Sequence, residues 1–445
     1  DGSTWEEVVQ LAKAIEAAGA TIINTGIGWH EARIPTIATM VPRAAFTWVT
    51  RRMKGEVKIP LVTTNRINAP DVAEDVLARG DADMVSMARP FLADAEFVNK
   101  AAAGRADEIN TCIACNQACL DHIFERKTCS CLVNPRACNE TELKILPAAA
   151  KKKVAVVGAG PAGLAFATTA AERGHDVTLF EASDTIGGQF NLAKRIPGKE
   201  EFGETLRYFR RRLDSTGVKV KVSHRATADE LAAGGFDHVA LATGVTPRTP
   251  DIPGVDHPKV ARYIDVIEGR REAGRKVAIV GAGGIGFDVA ELLTHGGDKP
   301  NDIDHFRNEW GIDSTYAVRG GLKKPADEPP PRQIWLLQRK TSKVGDGLAK
   351  TTGWIRRTLL KRRNVKMLAG VSYEKIDDAG LHLRLGDESQ VLDVDTIVMC
   401  AGQEPRRELL AGLQQAGVAV SLIGGADVAA ELDAKRAIDQ GTRAA

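Results

Sequence analysis

A glycine pattern that occurs twice, about 120 residues apart (158 and 281), constrains this 445-residue chain more than any other feature. The first copy, Gly158-Ala159-Gly160-Pro161-Ala162-Gly163, follows Val154-Ala155-Val156-Val157; the second, Gly281-Ala282-Gly283-Gly284-Ile285-Gly286, follows Val277-Ala278-Ile279-Val280. In a strand–turn–helix of this kind the first glycine makes the tight turn and the second lets the backbone approach a diphosphate. The third lets helix and strand pack closely, while the helix N-terminus supplies partial positive charge. Each copy therefore predicts a Rossmann-like dinucleotide-binding unit. After the first, the strand Val177-Thr178-Leu179-Phe180 ends at Glu181, where a carboxylate accepts hydrogen bonds from ribose hydroxyls. After the second, the corresponding strand is Ile334-Trp335-Leu336-Leu337, followed by Gln338-Arg339-Lys340 with no acid. Cations such as Arg339 and Lys340 pair with a 2′-phosphate, which favours NADPH over NADH; the competing reading is a solvated pair at a strand end.

The first 106 residues alternate helical and extended runs: Trp5 to Ala18, Thr21 to Gly26, Arg43 to Lys54, Leu61 to Thr64, Pro70 to Arg79 and Met84 to Met87. Strands joined by helices of that length predict a parallel sheet with right-handed crossovers. Three strands cannot close on themselves, and their outer members would leave backbone groups unpaired, so further strands are expected upstream. Residues 296–332, rich in Gly, Asp, Pro and Lys, are too long for an ordinary connection and read as a surface excursion.

Six of the seven cysteines fall between residues 112 and 138. Cys112, Cys115 and Cys119 lie close together, and Cys131-Leu132-Val133-Asn134-Pro135 follows after 11 intervening residues. Three near thiolates and one distant one suit a 4Fe-4S cluster, each iron taking one sulfur. Structural zinc is the rival, but zinc sites more often pair two C-x2-C knuckles and only one occurs here. Cys129 competes with Cys131 for the fourth position, Cys138 is surplus, and Cys400 reads as a buried strand residue. A cluster passes single electrons whereas NADPH surrenders a hydride, so a flavin between them makes chemical sense.

Lys and Arg number 60 against 58 Asp and Glu, and no basic stripe stands out, so neither nucleic acid nor an anionic membrane is an expected partner. No apolar run approaches the ~20 residues of a bilayer span. The opening Asp1-Gly2-Ser3-Thr4-Trp5-Glu6-Glu7 lacks the layout of a signal peptide, so a cytoplasmic location is expected.

Two glycine elements in tandem, the first with its acid, resemble the disulfide-reductase-like flavoproteins, in which the first copy holds FAD and the second, inserted copy holds the pyridine nucleotide. Gly187-Gly188-Gln189, Ala242-Thr243-Gly244 and Ile423-Gly424-Gly425-Ala426-Asp427 match in order, and the resemblance places Gly188, Gln189, Thr243, Gly244, Gly402 and Asp427 at the cofactor, Asp427 by the FAD ribityl chain. With the barrel-like units and the cysteines, the whole order resembles the bacterial NADPH-dependent 2,4-dienoyl-CoA reductases of the iron-sulfur flavoprotein type. The stretches that carry this are 24–31 (Asn-Thr-Gly-Ile-Gly-Trp-His-Glu), Thr63-Thr64-Asn65-Arg66-Ile67, Ser86-Met87-Ala88-Arg89-Pro90-Phe91 and 431–436.

That resemblance implies an α/β chain with four parts. These are the last three βα units of an old-yellow-enzyme-like TIM barrel (1–106, FMN side), a 4Fe-4S region (107–150), an FAD domain (151–270 and 385–445) and a nested NADPH domain (271–384). Electrons would run from NADPH through FAD, the cluster and FMN to a dienoyl-CoA substrate of unsaturated fatty-acid β-oxidation. Arg89, with the backbone at Met87 and Ala88, would hold the FMN phosphate. Asn65 and Arg66 would border FMN or the thioester, and His30 would assist protonation; as a lone loop histidine it reads equally as a solvated or structural imidazole. None of the four tyrosines lies in the barrel portion, so the family's tyrosine proton donor has no counterpart. The chain is therefore expected to be the C-terminal portion of an enzyme that is monomeric when whole, unable alone to complete the FMN site. The same architecture serves 2-enoate reductases and amine dehydrogenases, and an electron-transfer module like the small subunit of glutamate synthase shares the tandem domains.

Overall fold

The computed structural model describes residues 2–28, 32–296, 302–326, 328–429 and 433–445. The chain divides into two compact units, residues 1–115 with 297–329, and residues 116–296 with 330–445.

The first unit holds a three-stranded parallel sheet in the order Ile23–Thr25, Leu61–Thr63, Met84–Val85. Its central strand is buried at every position, as a strand flanked on both sides must be. The outer two have one strand neighbour each among the described residues, and Ile22 and Met84 beside them are exposed. The helix Trp5–Ala17 starts at a capping box, Thr4 accepting from the Glu7 amide while Glu7 receives the Thr4 amide. The helix Pro70–Ala78 opens on a proline whose missing N–H costs nothing at that position.

The long insertion belongs to this unit and is more ordered than its composition suggests. Asp302 caps a helix, Ile303–Trp310, by accepting from the His305 amide. Phe306 meets Phe46 edge to face at 6.1 Å, and Arg319 forks onto Glu7 at 2.8 and 2.6 Å. Arg52 lies 4.5 Å over the Trp5 ring and donates to the Ser314 and Thr315 carbonyls, and Tyr316 packs on the other ring contact of Trp5. Gly- and Pro-rich composition concealed an aromatic and cationic anchor that forms only against distant residues.

The second unit contains two five-stranded parallel sheets. The first runs Val420–Leu422, His238–Leu241, Lys153–Val157, Asp176–Phe180, Lys219–Lys221 in space. The second runs Lys366–Ala369, Gln333–Gln338, Lys276–Val280, Thr396–Met399, Val260–Arg262. Each glycine fingerprint leaves the central strand of its sheet, and the strand read from the sequence as the second sheet's partner pairs in register, Val277 with Ile334 through Val280 with Leu337. The second sheet also takes strands from before residue 271 and after residue 384. Those short runs, Val260–Arg262 and Thr396–Met399, carry no fingerprint, and the bounds that the resemblance implies put them with the other domain. An antiparallel meander, Val371–Asp377, Gly380–Leu385 and Glu388–Leu392, covers one face of it, burying Leu381 and Leu383 against Ala278, Val280 and Ile397.

The helix after the first fingerprint, Pro161–Glu172, is built almost wholly of small residues, with everything from Ala162 to Ala170 buried. That permits the C-terminal helix Ala434–Ala444 to pack so tightly that a Cβ at Gly441 would stand 2.3 Å from the Ala162 carbonyl oxygen. No helix among the described residues is long and apolar enough to cross a membrane.

Candidate nucleotide, flavin and cluster sites

At the first fingerprint the protein's own backbone fixes two glycines and leaves the third facing open space. Gly158 has φ +105°, and a Cβ there would lie 2.4 Å from the Ala242 oxygen; a Cβ on Gly163 would lie 1.9 Å from the Gly158 oxygen. A Cβ on Gly160 meets nothing within 4 Å, the opening that close approach of a diphosphate requires. Gly188 closes over this cradle, 3.0 Å from the Gly160 Cα by the same measure. Glu181 sits where the sequence placed it: one oxygen accepts from the Ala159 amide at 2.8 Å, the other from the amide and hydroxyl of Ser183, both at 2.8 Å. Thr243 donates to the Arg406 carbonyl at 2.6 Å and Gly244 receives the Arg406 amide, binding the two returning strands together. Asp427 is oriented by Gln440, whose amide donates to Oδ2 at 2.7 Å. An open cradle, an oriented acid and a tied C-terminal helix fit an FAD.

The second cradle repeats the logic. Gly281 and Gly286 are fixed by backbone, at 2.3 Å from the Cys400 oxygen and 1.9 Å from the Gly281 oxygen, while Gly283 opens on free space. Gln338 ends the next strand and its side-chain amide donates to the Lys340 and Ser342 carbonyls, at 3.0 and 2.8 Å. This turns the loop so that Arg339 and Lys340 are exposed, with no carboxylate paired to either among the described residues. Gly402 has φ +103° and its carbonyl accepts from the Arg248 amide, where the chain leaves the second sheet.

Sequence reasoning missed a buried charge cluster beside this cradle. Asp288, inside the mainly apolar helix Gly284–Thr294, accepts from Lys199 at 2.7 Å on both oxygens and from Arg356, and Glu291 of the same helix lies 3.8 Å from Arg356. Burial pushes the Asp288 carboxyl upward, but Lys199 and Arg356 outweigh it and hold the group below the usual carboxylate range. Glu291 has no such direct fork, and burial pushes it up. Two acids, Asp288 and Glu291, within a mainly apolar helix were the available signal. Tyr263 was also missed: it is 1 % exposed, and its hydroxyl receives the Gln403 amide at 3.2 Å.

All seven cysteines carry free thiols. Within the run from Cys112 to Cys119, Ala114 and Asn116 adopt left-handed φ of 53° and 63°, turning the chain twice, and the Cys112 carbonyl is held by Asn68 at 2.7 Å. The Ser130 amide donates to the Ala118 carbonyl at 2.7 Å, tying the residue before Cys131 to the residue before Cys119. Among the described residues no group of three or more His, Cys, Asp or Glu stands ready to hold a metal ion. Cysteine thiolates are soft donors, the chemistry that an iron-sulfur cluster takes. Cys129 is pushed up to about 11 by burial, with Cys138 and Cys119 adding to it, and Cys400 is driven well above the ordinary thiol range by burial.

In the first unit Asn65 and Arg66 both have left-handed backbone, φ 73° and 57°, at the end of the central strand. Asn65 clasps the loop before it, donating to the Ile27 carbonyl at 2.9 Å, and Arg66 donates to the Val41 carbonyl at 2.8 Å. Arg89 donates to the Ile37 carbonyl at 2.8 Å, following Met87 and Ala88 at the end of the third strand. His30, with Trp29 and Glu31, lies outside the described residues, as do Glu431 and Leu432.

Two nucleotide cradles, one with a ribose acid and one without, define a flavin-dependent oxidoreductase. Residues 152–436 match the pyridine nucleotide-disulphide oxidoreductase family, and the chain belongs to it. Residues 1–108 match the NADH:flavin oxidoreductase / NADH oxidase family. The chain is 36% identical to a metal reductase of Desulforamulus reducens over 95% of its own length and 63% of that protein's. It is 32% identical to an NADH oxidase of Thermoanaerobacter brockii over 96% of its length and 61% of that protein's. A solved 2-naphthoyl-CoA reductase in complex with 2-naphthoyl-CoA superimposes with a TM-score of 0.86 at 31% identity, covering 98% of this chain and 62% of the other. The chain thus spans less than two thirds of the length of these relatives.

Proposed function

We propose that this chain takes reducing equivalents from NADPH and serves the reduction of 2,4-dienoyl-CoA to enoyl-CoA in unsaturated fatty-acid β-oxidation. The observation that carries the reading is the order, in one chain, of barrel strands, a thiol loop and two open dinucleotide cradles of unlike ribose chemistry. Arg339 and Lys340 select the 2′-phosphate, Gly160 and Glu181 seat FAD, and Cys112, Cys115, Cys119 and Cys131 hold a 4Fe-4S centre. Arg89, with the backbone at Met87 and Ala88, grips the FMN phosphate, Asn65 and Arg66 border FMN or the substrate thioester, and His30 assists protonation. When bound, flavin accepts a hydride and releases electrons singly, which a cluster requires. A relative that binds 2-naphthoyl-CoA supports a conjugated acyl-CoA as the substrate class.

The test is an anaerobic assay of the full-length protein with NADPH and either 2,4-dienoyl-CoA or a free 2-enoate, and in parallel with a secondary amine and a ferricenium electron acceptor in place of NADPH. Stoichiometric loss of NADPH and of the dienoyl chromophore is expected. Flavin reduction by NADPH with the dienoyl-CoA untouched, and turnover of the enoate or the amine instead, overturns the substrate assignment.

A further inference from the structure

The buried phenol of Tyr263 joins the rims of the two cradles. Gln189 comes directly after the Gly187-Gly188 turn that closes over the first cradle. Gln403 comes three residues after Cys400, whose carbonyl backs Gly281 in the second. The Gln403 amide nitrogen donates to the Tyr263 hydroxyl at 3.2 Å, and the Gln189 side chain lies near enough to influence that hydroxyl. That bond fixes the carboxamide and leaves its other atom committed to nothing: Gln403 Oε1 is shut off from solvent and has no hydrogen-bond partner among the described residues. A buried acceptor left unsatisfied costs about 1–3 kcal/mol, and at the rim of a cradle a ligand N–H is a partner that can complete it.

We infer that Gln403 is a ligand-recognising residue whose Oε1 accepts an N–H from an amide or imide at the meeting point of the two cradles, with Tyr263 as its positioning residue. Two groups carry such an N–H in this chemistry: the carboxamide of the nicotinamide and the imide of the flavin ring. Tyr263 is suited to the task because it is buried in the core cluster of the second sheet, to which Val277 and Ile279 also belong. Burial raises its pKa above the ordinary phenol value, so it stays protonated at neutral pH.

The inference rests on the two-cradle reading, and the wild-type holoenzyme tests that reading separately, through its flavin content and its reduction by NADPH. For the inference itself, Gln403→Ala, Gln403→Glu and Tyr263→Phe holoenzymes are compared by NADPH binding, by binding of the 3-acetylpyridine analogue of NADPH, which lacks the amide N–H, and by flavin midpoint potential and spectrum. If the nicotinamide is the donor, Gln403→Ala weakens NADPH about tenfold and leaves the analogue unchanged, and Tyr263→Phe moves the same way by less. If the flavin imide is the donor, nucleotide binding holds and the visible spectrum and potential shift in both variants. Variants that fold with normal flavin content and show neither the selective loss nor the shift overturn the inference. Gln403→Glu keeps the acceptor and retains the analogue discrimination only if the acceptor is what matters.

Discussion

Individual glycines in this chain make separable demands. Gly160 has φ −78° and ψ 179°, a conformation any residue adopts, and open space where its Cβ would go. Gly163 has its Cβ direction blocked by backbone. Gly160→Ala should therefore leave the fold within ~0.5 kcal/mol of wild type while lowering FAD occupancy, because the new methyl occupies only ligand space. Gly163→Ala should cost about 1–3 kcal/mol, since helix and strand must separate to admit it, and flavin should be lost as a consequence. Flavin-to-protein absorbance ratio with urea midpoints of the apoproteins distinguishes them; equal destabilisation by both would sink the argument. The strand–turn–helix at each fingerprint and the place of Glu181 at the end of the next strand were legible because they follow from a local pattern. Asp288, Lys199, Tyr263 and Gln403 were not, since their partners lie 89 and 140 residues away and no spacing rule links them.

At the scale of elements, the second fingerprint's ribose loop predicts nucleotide choice. Gln338 holds the turn, so Arg339 and Lys340 can be altered without unfolding it. Charge-assisted bonds of about 1.5–3 kcal/mol make each of Arg339→Ala and Lys340→Ala weaken NADPH tenfold or more, with NADH affinity unchanged. Titrations of the two nucleotides against each variant check this, and equal losses for both nucleotides would mean that the pair is only a solvated strand end. In the barrel portion, Asp83 ties strand to strand: it accepts from the Leu61 amide at 2.9 Å and from Lys54 at 2.7 Å, and these bonds hold its carboxyl below the ordinary value. A depressed folded pKa contributes stability above the unfolded value near ~3.9 and loses it as pH falls through the folded one. Asp83→Asn should thus be less stable than wild type at pH 7 and show a flatter dependence on acidification. Denaturant midpoints between pH 7 and the acid limit give the comparison. Strands and helices here were readable because their apolar periods agree with their packing; the aromatic anchor in the insertion was not, because Pro- and Gly-rich composition says nothing about a distant Trp5.

For the whole molecule, the decisive feature is the mismatch between what the two units can complete. The second unit holds both cradles within itself, each on a five-stranded parallel sheet with its own core. The first has three parallel strands whose outer members have a single neighbour each among the described residues, and a TIM barrel needs eight to surround a flavin. These 445 residues alone should therefore bind FAD and reduce an artificial dye with NADPH, yet fail to bind FMN or turn over 2,4-dienoyl-CoA. Iron, acid-labile sulfide, FAD and FMN measured on one anaerobic preparation should give one cluster and one FAD per chain without FMN. Zinc in place of iron would remove the cluster from the scheme, and dienoyl-CoA turnover by these residues alone would show that three strands suffice. Exchange of the four cysteines separates the two contributions: Cys119→Ala should stop electrons leaving the flavin for a one-electron acceptor that takes them from the cluster. Hydride transfer from NADPH to FAD, followed by bleaching of the flavin, should proceed unchanged, because every residue that forms the two cradles lies outside the thiol loop.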